Sequence, residues 1–141
     1  MERIFGCKKG NYELSEGFEI PTRGTREAVD YDIQLVNEVR RTLDYLTTRD
    51  DINPDNIAYL GYSWGVLLGP IVLATENQFG LGLFLSGGVS ANKSQPVINV
   101  TTFKPRIKVP ILIISGRYDF IFPFETSQKL MFDLLEIDKE D

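Results

Sequence analysis

Five residues, Gly61-Tyr62-Ser63-Trp64-Gly65, set between two apolar segments, constrain this chain more than anything else in it. Before them, Asn56-Ile57-Ala58-Tyr59-Leu60 reads as a short buried strand. After them, Val66-Leu67-Leu68-Gly69-Pro70-Ile71-Val72-Leu73-Ala74 reads as a buried helix. A strand that runs straight into a helix has to turn sharply. Glycine at 61 and 65 suits that turn, because a side chain at either position would crowd strand against helix. Ser63, at the apex, is expected in a strained backbone conformation with its hydroxyl clear of the strand end.

G-x-S-x-G between a strand and a helix is the setting of a nucleophile elbow. The helix that starts near Trp64 would aim N–H groups and a positive dipole end at a reacting oxygen. The N–H of Trp64, one residue after the serine, is the expected oxyanion donor. The plainer alternative is a Gly-rich turn that carries a surface serine.

Composition narrows the classes. The chain has 141 residues, 43% hydrophobic and 25% charged, as expected of one soluble globular domain. Fifteen Lys and Arg against twenty Asp and Glu leave a net charge of −5, and no basic cluster exceeds a pair. Nucleic acid is therefore not an expected partner. The longest apolar stretch, positions 66–74, is too short to cross a bilayer, so no membrane segment is expected. Cys7 is the only cysteine, which excludes an internal disulfide and a Cys-based zinc site. There is no histidine, which removes His-ligated metals and also the usual general base of a serine nucleophile. No cofactor and no metal are implied. No signal peptide is visible, because Glu2, Arg3, Lys8 and Lys9 interrupt any apolar core.

A single domain is expected, with a loop-rich excursion over positions 1–28 and a core over 29–141. The excursion is punctuated by Gly6, Gly10, Gly17, Pro21 and Gly24, with a short strand expected around Tyr12-Glu13-Leu14. Positions 27–48 read as an amphipathic helix, with Val29, Ile33, Val36, Leu43 and Leu46 in its stripe and Val39 widening it. Its charges, acidic early and basic late, suit the macrodipole and read as a solvated face. A turn over Asp50–Asp55 leads into the strand at 56–61. Leu81-Gly82-Leu83-Phe84-Leu85 is the second strand, and Ser86 beyond it either lines a site or is a turn serine. Positions 87–108 read as mostly irregular, too short for a lid domain, with a β-prone run from Val97 to Phe103.

Pro110-Ile111-Leu112-Ile113-Ile114-Ser115 is the clearest strand, an unbroken apolar run of the kind seen where both faces of a parallel sheet are covered. Pro123 suits the first turn of a last helix, with Leu130, Met131, Leu134 and Leu135 as its apolar face. Three strands alternating with helices predict an α/β fold with a three-stranded parallel sheet flanked by helices. In such a sheet, functional groups gather past the C-terminal strand ends. Ser63 and Asp119 each follow one. Asp119 is a candidate acid that orients a histidine; its plainer role is a turn carboxylate capping the next helix. Phe120, Ile121 and Phe122 beside it suit an acyl pocket or core packing equally.

On Gly61-Tyr62-Ser63-Trp64-Gly65, on Gly116-Arg117-Tyr118-Asp119-Phe120 with Pro123, and on Arg41–Arg49 and Met131–Leu135, the chain resembles the α/β-hydrolase superfamily. More narrowly, the chain is similar to the dienelactone-hydrolase and prolyl-oligopeptidase-like branch. It also resembles the hydrolase domain found at the C-terminus of some bacterial proteins described as serine/threonine kinases. The resemblance spans roughly positions 8–141. It implies a serine hydrolase acting on a small-molecule ester or a peptide, with Ser63 as nucleophile, Trp64 as oxyanion donor and Asp119 as acid. A kinase domain fused upstream is a partner it would also imply, although no kinase motif is present here. Val66 departs from the pattern, which usually has a second glycine there. The chain would hold the equivalents of strands 5 to 7 of the family's sheet. The earlier strands, the last strand and the catalytic histidine are expected outside it. A histidine is expected roughly 8–20 residues past Asp141, after one more apolar strand. The rival expectation is a non-catalytic binding or sensor module on the same fold.

Overall fold

The computed structural model describes residues 3–4, 7–8, 21–22, 24–89 and 100–135. The strand expected at Tyr12-Glu13-Leu14, the middle of the irregular stretch and the acidic tail lie outside the described residues. Near the start, β1 (Arg3–Ile4) and β2 (Cys7–Lys8) form a small antiparallel pair with Ile4 opposite Cys7.

Helix α1 runs Arg26–Leu46. Thr25 caps it, its side-chain oxygen accepting from the N–H of Ala28 at 3.3 Å, which satisfies one of the donors a helix start leaves open. Ala28, Val29, Val36, Val39 and Leu43 form the buried stripe. Ile33, expected in that stripe, is instead 48% exposed. It stands at the rim, about 60° of helix rotation from Val36. The helix ends before Arg49, so no basic residue sits in its last turn. Arg49 instead pairs with Asp51 at 2.6 Å.

The main sheet is parallel, in the order β3 (Ile57–Tyr62), β4 (Phe79–Leu85), β5 (Ile111–Ile114). Tyr62 pairs with Leu85 and Leu85 with Ile114, so the three strands end level. Helix α2 (Trp64–Thr75) joins β3 to β4. Between β4 and β5 comes a short α3 (Val100–Phe103) and a 3-10 turn, Lys104–Arg106. The β-prone reading of the run ending at Phe103 is thus corrected at residues 100–103, which are helical; the run is bounded by Pro105, which suits the first turn of the 3-10 segment. A π-helical turn, Phe124–Gln128, leads into α4 (Lys129–Leu135), with Pro123 standing as the cap just before it. Met131 and Leu135 are buried, while Leu130, expected on the apolar face, is 43% exposed.

One core joins α1, α2, α4 and one face of the sheet: Val39, Leu43, Tyr59, Val66, Val72, Phe84 and Met131 are among its members. Burying a side chain the size of Phe84, which is fully enclosed, is worth about 1.5–3 kcal/mol. The opposite face is open. Leu60 is 60% exposed, Tyr62 50%, Leu112 51% and Ile114 55%. The expectation of two covered faces for the last strand is therefore corrected, because β5 alternates half-buried with exposed residues. Topology supplies the reason. The strands are laid down in sequence order in one direction, and right-handed crossovers then place both connections on the same face. An exposed apolar patch of this kind favours association. The isolated 141-residue chain should self-associate with rising concentration, and Leu112→Lys combined with Ile114→Lys should suppress it. Light scattering across a dilution series checks this; a monodisperse parent chain at high concentration would contradict it.

Helix α2 is apolar on every side and accordingly buried along most of its length. At its C-cap, Glu76 is buried, and its Oε1 accepts from Arg40 of α1 at 2.6 and 2.9 Å. Arg40 is thus a specific clamp between two helices, not simply a solvated charge. The Glu76 carboxylate raises the Arg40 pKa further above its ordinary value. No described helix is long and apolar enough to cross a membrane.

Candidate active site

Ser63 joins β3 to α2 with φ 52° and ψ −105°. This region is hostile to a side chain, and holding a non-glycine residue there costs about 1–3 kcal/mol. A serine at a helix N-cap ordinarily accepts a hydrogen bond from the first turn. Ser63 makes no such bond. Its backbone is nevertheless held: its N–H donates to Leu85 O at 3.0 Å, and its own carbonyl accepts from Val66 N at 3.0 Å. The sheet ladder thus continues one residue past β3 and pins the strained residue in place.

Two residues make that turn possible from beneath. A Cβ on Gly61 would lie 2.7 Å from the carbonyl oxygen of Gly65, so strand and helix approach too closely there for any side chain. Tyr59, buried in the core, donates its hydroxyl to that same carbonyl at 2.7 Å. Burial pushes the Tyr59 hydroxyl pKa well above its ordinary value. Sequence reasoning took Tyr59 only as a strand residue. Its bond to a backbone atom six positions on has no signature in the sequence.

The stability of the turn should depend on that phenol. Tyr59→Phe keeps the ring edges packed on Phe79 and Phe84, at centroid distances of 5.6 and 6.2 Å, and removes only the donor. A loss of about 1 kcal/mol is expected. The pH dependence carries a sign. A group whose pKa is raised on folding supports the fold fully below its unfolded value, near 10, and loses that support as pH climbs through the raised value. Alkaline denaturation should therefore be less steep in Tyr59→Phe than in the parent, as followed by circular dichroism above pH 10; identical curves would contradict the buried phenol.

Val66, where the resemblance expected a glycine, is fully buried. The room for it comes from across the sheet. A Cβ on Gly87 would lie 2.4 Å from the Val66 Cβ, so the glycine after β4 receives the valine.

Asp119 follows β5 in the loop that begins at Gly116. Its Oδ1 accepts from the N–H groups of Ile121 at 2.9 Å and Phe122 at 3.0 Å. Among the described residues, Oδ2 accepts none. The carboxylate therefore does cap the turn ahead of Pro123, its plainer role, and has a second oxygen left to accept a donor. Ser63 and Asp119 both lie past the C-terminal end of the sheet, after its two outer strands. The strands they follow, β3 and β5, are two strand spacings apart, about 9.5 Å.

Ser86 sits between them, directly after β4. Its φ is 49°, and it and Ser63 are the two non-glycine residues with positive φ among those described. Its N–H donates to Ile114 O at 2.9 Å. Strain at both positions at one end of the sheet fits the clustering of backbone outliers at functional sites. The apolar trio beside Asp119 is divided: Phe122 is buried, whereas Phe120 is 89% and Ile121 65% exposed. Trp64 opens α2 and is half-buried, which puts its backbone N–H at the positive end of the helix.

No family model matches the chain, no curated protein matches it, and no solved structure matches it. Function is therefore argued from the site alone. Among the described residues, no three His, Cys, Asp or Glu side chains are grouped so that they could hold a metal ion. What the strand ends present is a strained serine, a helix start, a second strained serine and a carboxylate.

Proposed function

We propose that this chain is part of a serine hydrolase acting on carboxylic ester or peptide bonds through an acyl-enzyme at Ser63. The observation that carries the reading is the conformation of Ser63. It is a non-glycine residue at φ 52°, at a helix start, whose hydroxyl does no capping. A fold that tolerates such strain without using the hydroxyl structurally keeps it for something else. On this reading the sheet is part of an α/β-hydrolase fold and supplies its fifth to seventh strands.

In the proposed reaction, Ser63 Oγ attacks the acyl carbon while its proton passes to a histidine from outside these 141 residues, none of which is histidine. The tetrahedral oxyanion is met by the Trp64 N–H and the positive end of α2. Asp119 orients the imidazole through its remaining carboxylate oxygen and stabilises the imidazolium. The imidazolium returns the proton to the leaving alcohol or amine as the acyl bond breaks. A water molecule, deprotonated by the same base, then attacks the acyl carbon; the acyl–Oγ bond breaks, the proton returns to Ser63 Oγ and the carboxylic acid leaves. Phe120 and Ile121, exposed on the Asp119 loop, give the substrate side an apolar character.

The absence of histidine favours a second reading, a non-catalytic binding or sensor module on the same fold, linked or not to a protein kinase domain. An activated phosphonate separates the two. In the full-length protein it should attach to Ser63, as identified by mass spectrometry of the labelled peptide. Labelling at another residue, or none, would move the assignment to the binding module.

A further inference from the structure

We propose that Gln128 is a positioning residue for Asp119, holding both feet of the loop that presents the carboxylate. The inference rests on the reading of Asp119 as the acid. Gln128 is 5% exposed and closes the π-helical turn Phe124–Gln128. Its Nε2 donates to Gly116 O at 2.8 Å and to Phe122 O at 2.7 Å. Those two carbonyls bracket Asp119, three residues to either side.

Each foot is also bonded directly to Asp119. Gly116 O accepts the Asp119 N–H at 3.2 Å, and Phe122 donates its N–H to Asp119 Oδ1 at 3.0 Å. The loop thus forms a closed circuit of backbone, carboxylate and amide. Both amide hydrogens of Gln128 are spent on it, a pair of donors that neither Glu nor Met can supply. The turn bearing Gln128 is tied to the body in its own right. Ser127 Oγ donates to Val89 O at 2.6 Å, and Val89 N donates to Ser127 O at 3.3 Å. A π-turn, rare in itself, is often found where function needs a side chain re-aimed.

The test uses the full-length protein and reads the rate at which an activated phosphonate labels Ser63. Gln128→Met keeps the length and bulk and removes the donors. The expected result is a fall of about 10- to 100-fold, the size of effect that a small displacement of a catalytic group produces. In an Asp119→Ala background, Gln128→Met should add nothing further, because the two act through one path. Hydrogen exchange at Ile121 and Phe122 should accelerate in Gln128→Met while the helices keep their protection. A labelling rate unchanged by Gln128→Met would overturn the proposal. So would an equal loss in both backgrounds, which is what general destabilisation gives. If Ser63 is labelled but Asp119→Ala does not slow it, Asp119 is not the acid and the proposal fails with it. If no version labels at Ser63, the hydrolase reading itself fails. Should Gln128→Met not fold, Gln128→Asn, which keeps an amide but falls short of both carbonyls, enters the same comparison with the same deciding outcomes.

Discussion

On the proposed reading, Ser63→Ala in the full-length protein should abolish phosphonate labelling and lower ester turnover by on the order of 10⁴- to 10⁶-fold, the range that loss of a triad member costs serine hydrolases. The same substitution should leave stability within about 0.5 kcal/mol. The hydroxyl makes no cap bond, and alanine at φ 52° is as strained as serine. Ser63→Gly sharpens the test. Glycine occupies that region without steric cost, so relief of strain should stabilise the fold by about 1 kcal/mol or more, even as activity is lost. Opposite signs for stability and activity at one residue are the mark of strain kept for function. Thermal denaturation beside a labelling assay reads both. Turnover that survives Ser63→Ala would end the assignment, and a destabilised Ser63→Gly would contradict the strain.

Gly61→Ala should cost about 2–4 kcal/mol, a clash at the severe end of overpacking, and lower the melting temperature by roughly 10 °C. The new methyl would stand 2.7 Å from Gly65 O and 2.8 Å from Gly65 C, with Tyr59 Cε1 at 3.0 Å. The first two are backbone atoms and cannot rotate aside. The helix start would have to lift away from the strand, taking the Tyr59–Gly65 hydrogen bond with it. Gly80→Ala is the matched control, since the nearest atom to its added methyl is Ile57 O at 4.0 Å. Calorimetry of the two variants decides the point. Equal melting temperatures would show that strand and helix are not in the close contact described.

Much of the strand-to-helix turn was legible because its determinants are local. An apolar run, two glycines four residues apart and a second apolar run set a strand, a tight turn and a helix whatever surrounds them. The placement of Asp119 just past the last strand is local too, as is the α/β alternation. Ser86 was visible as a turn residue, but its positive φ was not, since nothing flanking it demands one.

The features that depend on distant chain were not legible. Leu60, Leu83, Leu112 and Ile114 are as apolar as the residues on the opposite face, so composition cannot say that the face they share stays open. That follows from the direction in which successive strands are added. Arg40 read as part of a solvated helix face, yet packing of α1 on α2 brings it to 2.6 Å from Glu76. Nothing local in the sequence singles out Gln128, which is buried and bonded to both ends of the Asp119 loop. Sequence by itself determined the three strands, the longer helices and the strained serine between two of them, because backbone preference and apolar periodicity act over a few residues. Tertiary structure alone decided which face is covered and which buried polar groups find partners. A buried donor or charge is tolerated only when its partner arrives from elsewhere in the chain.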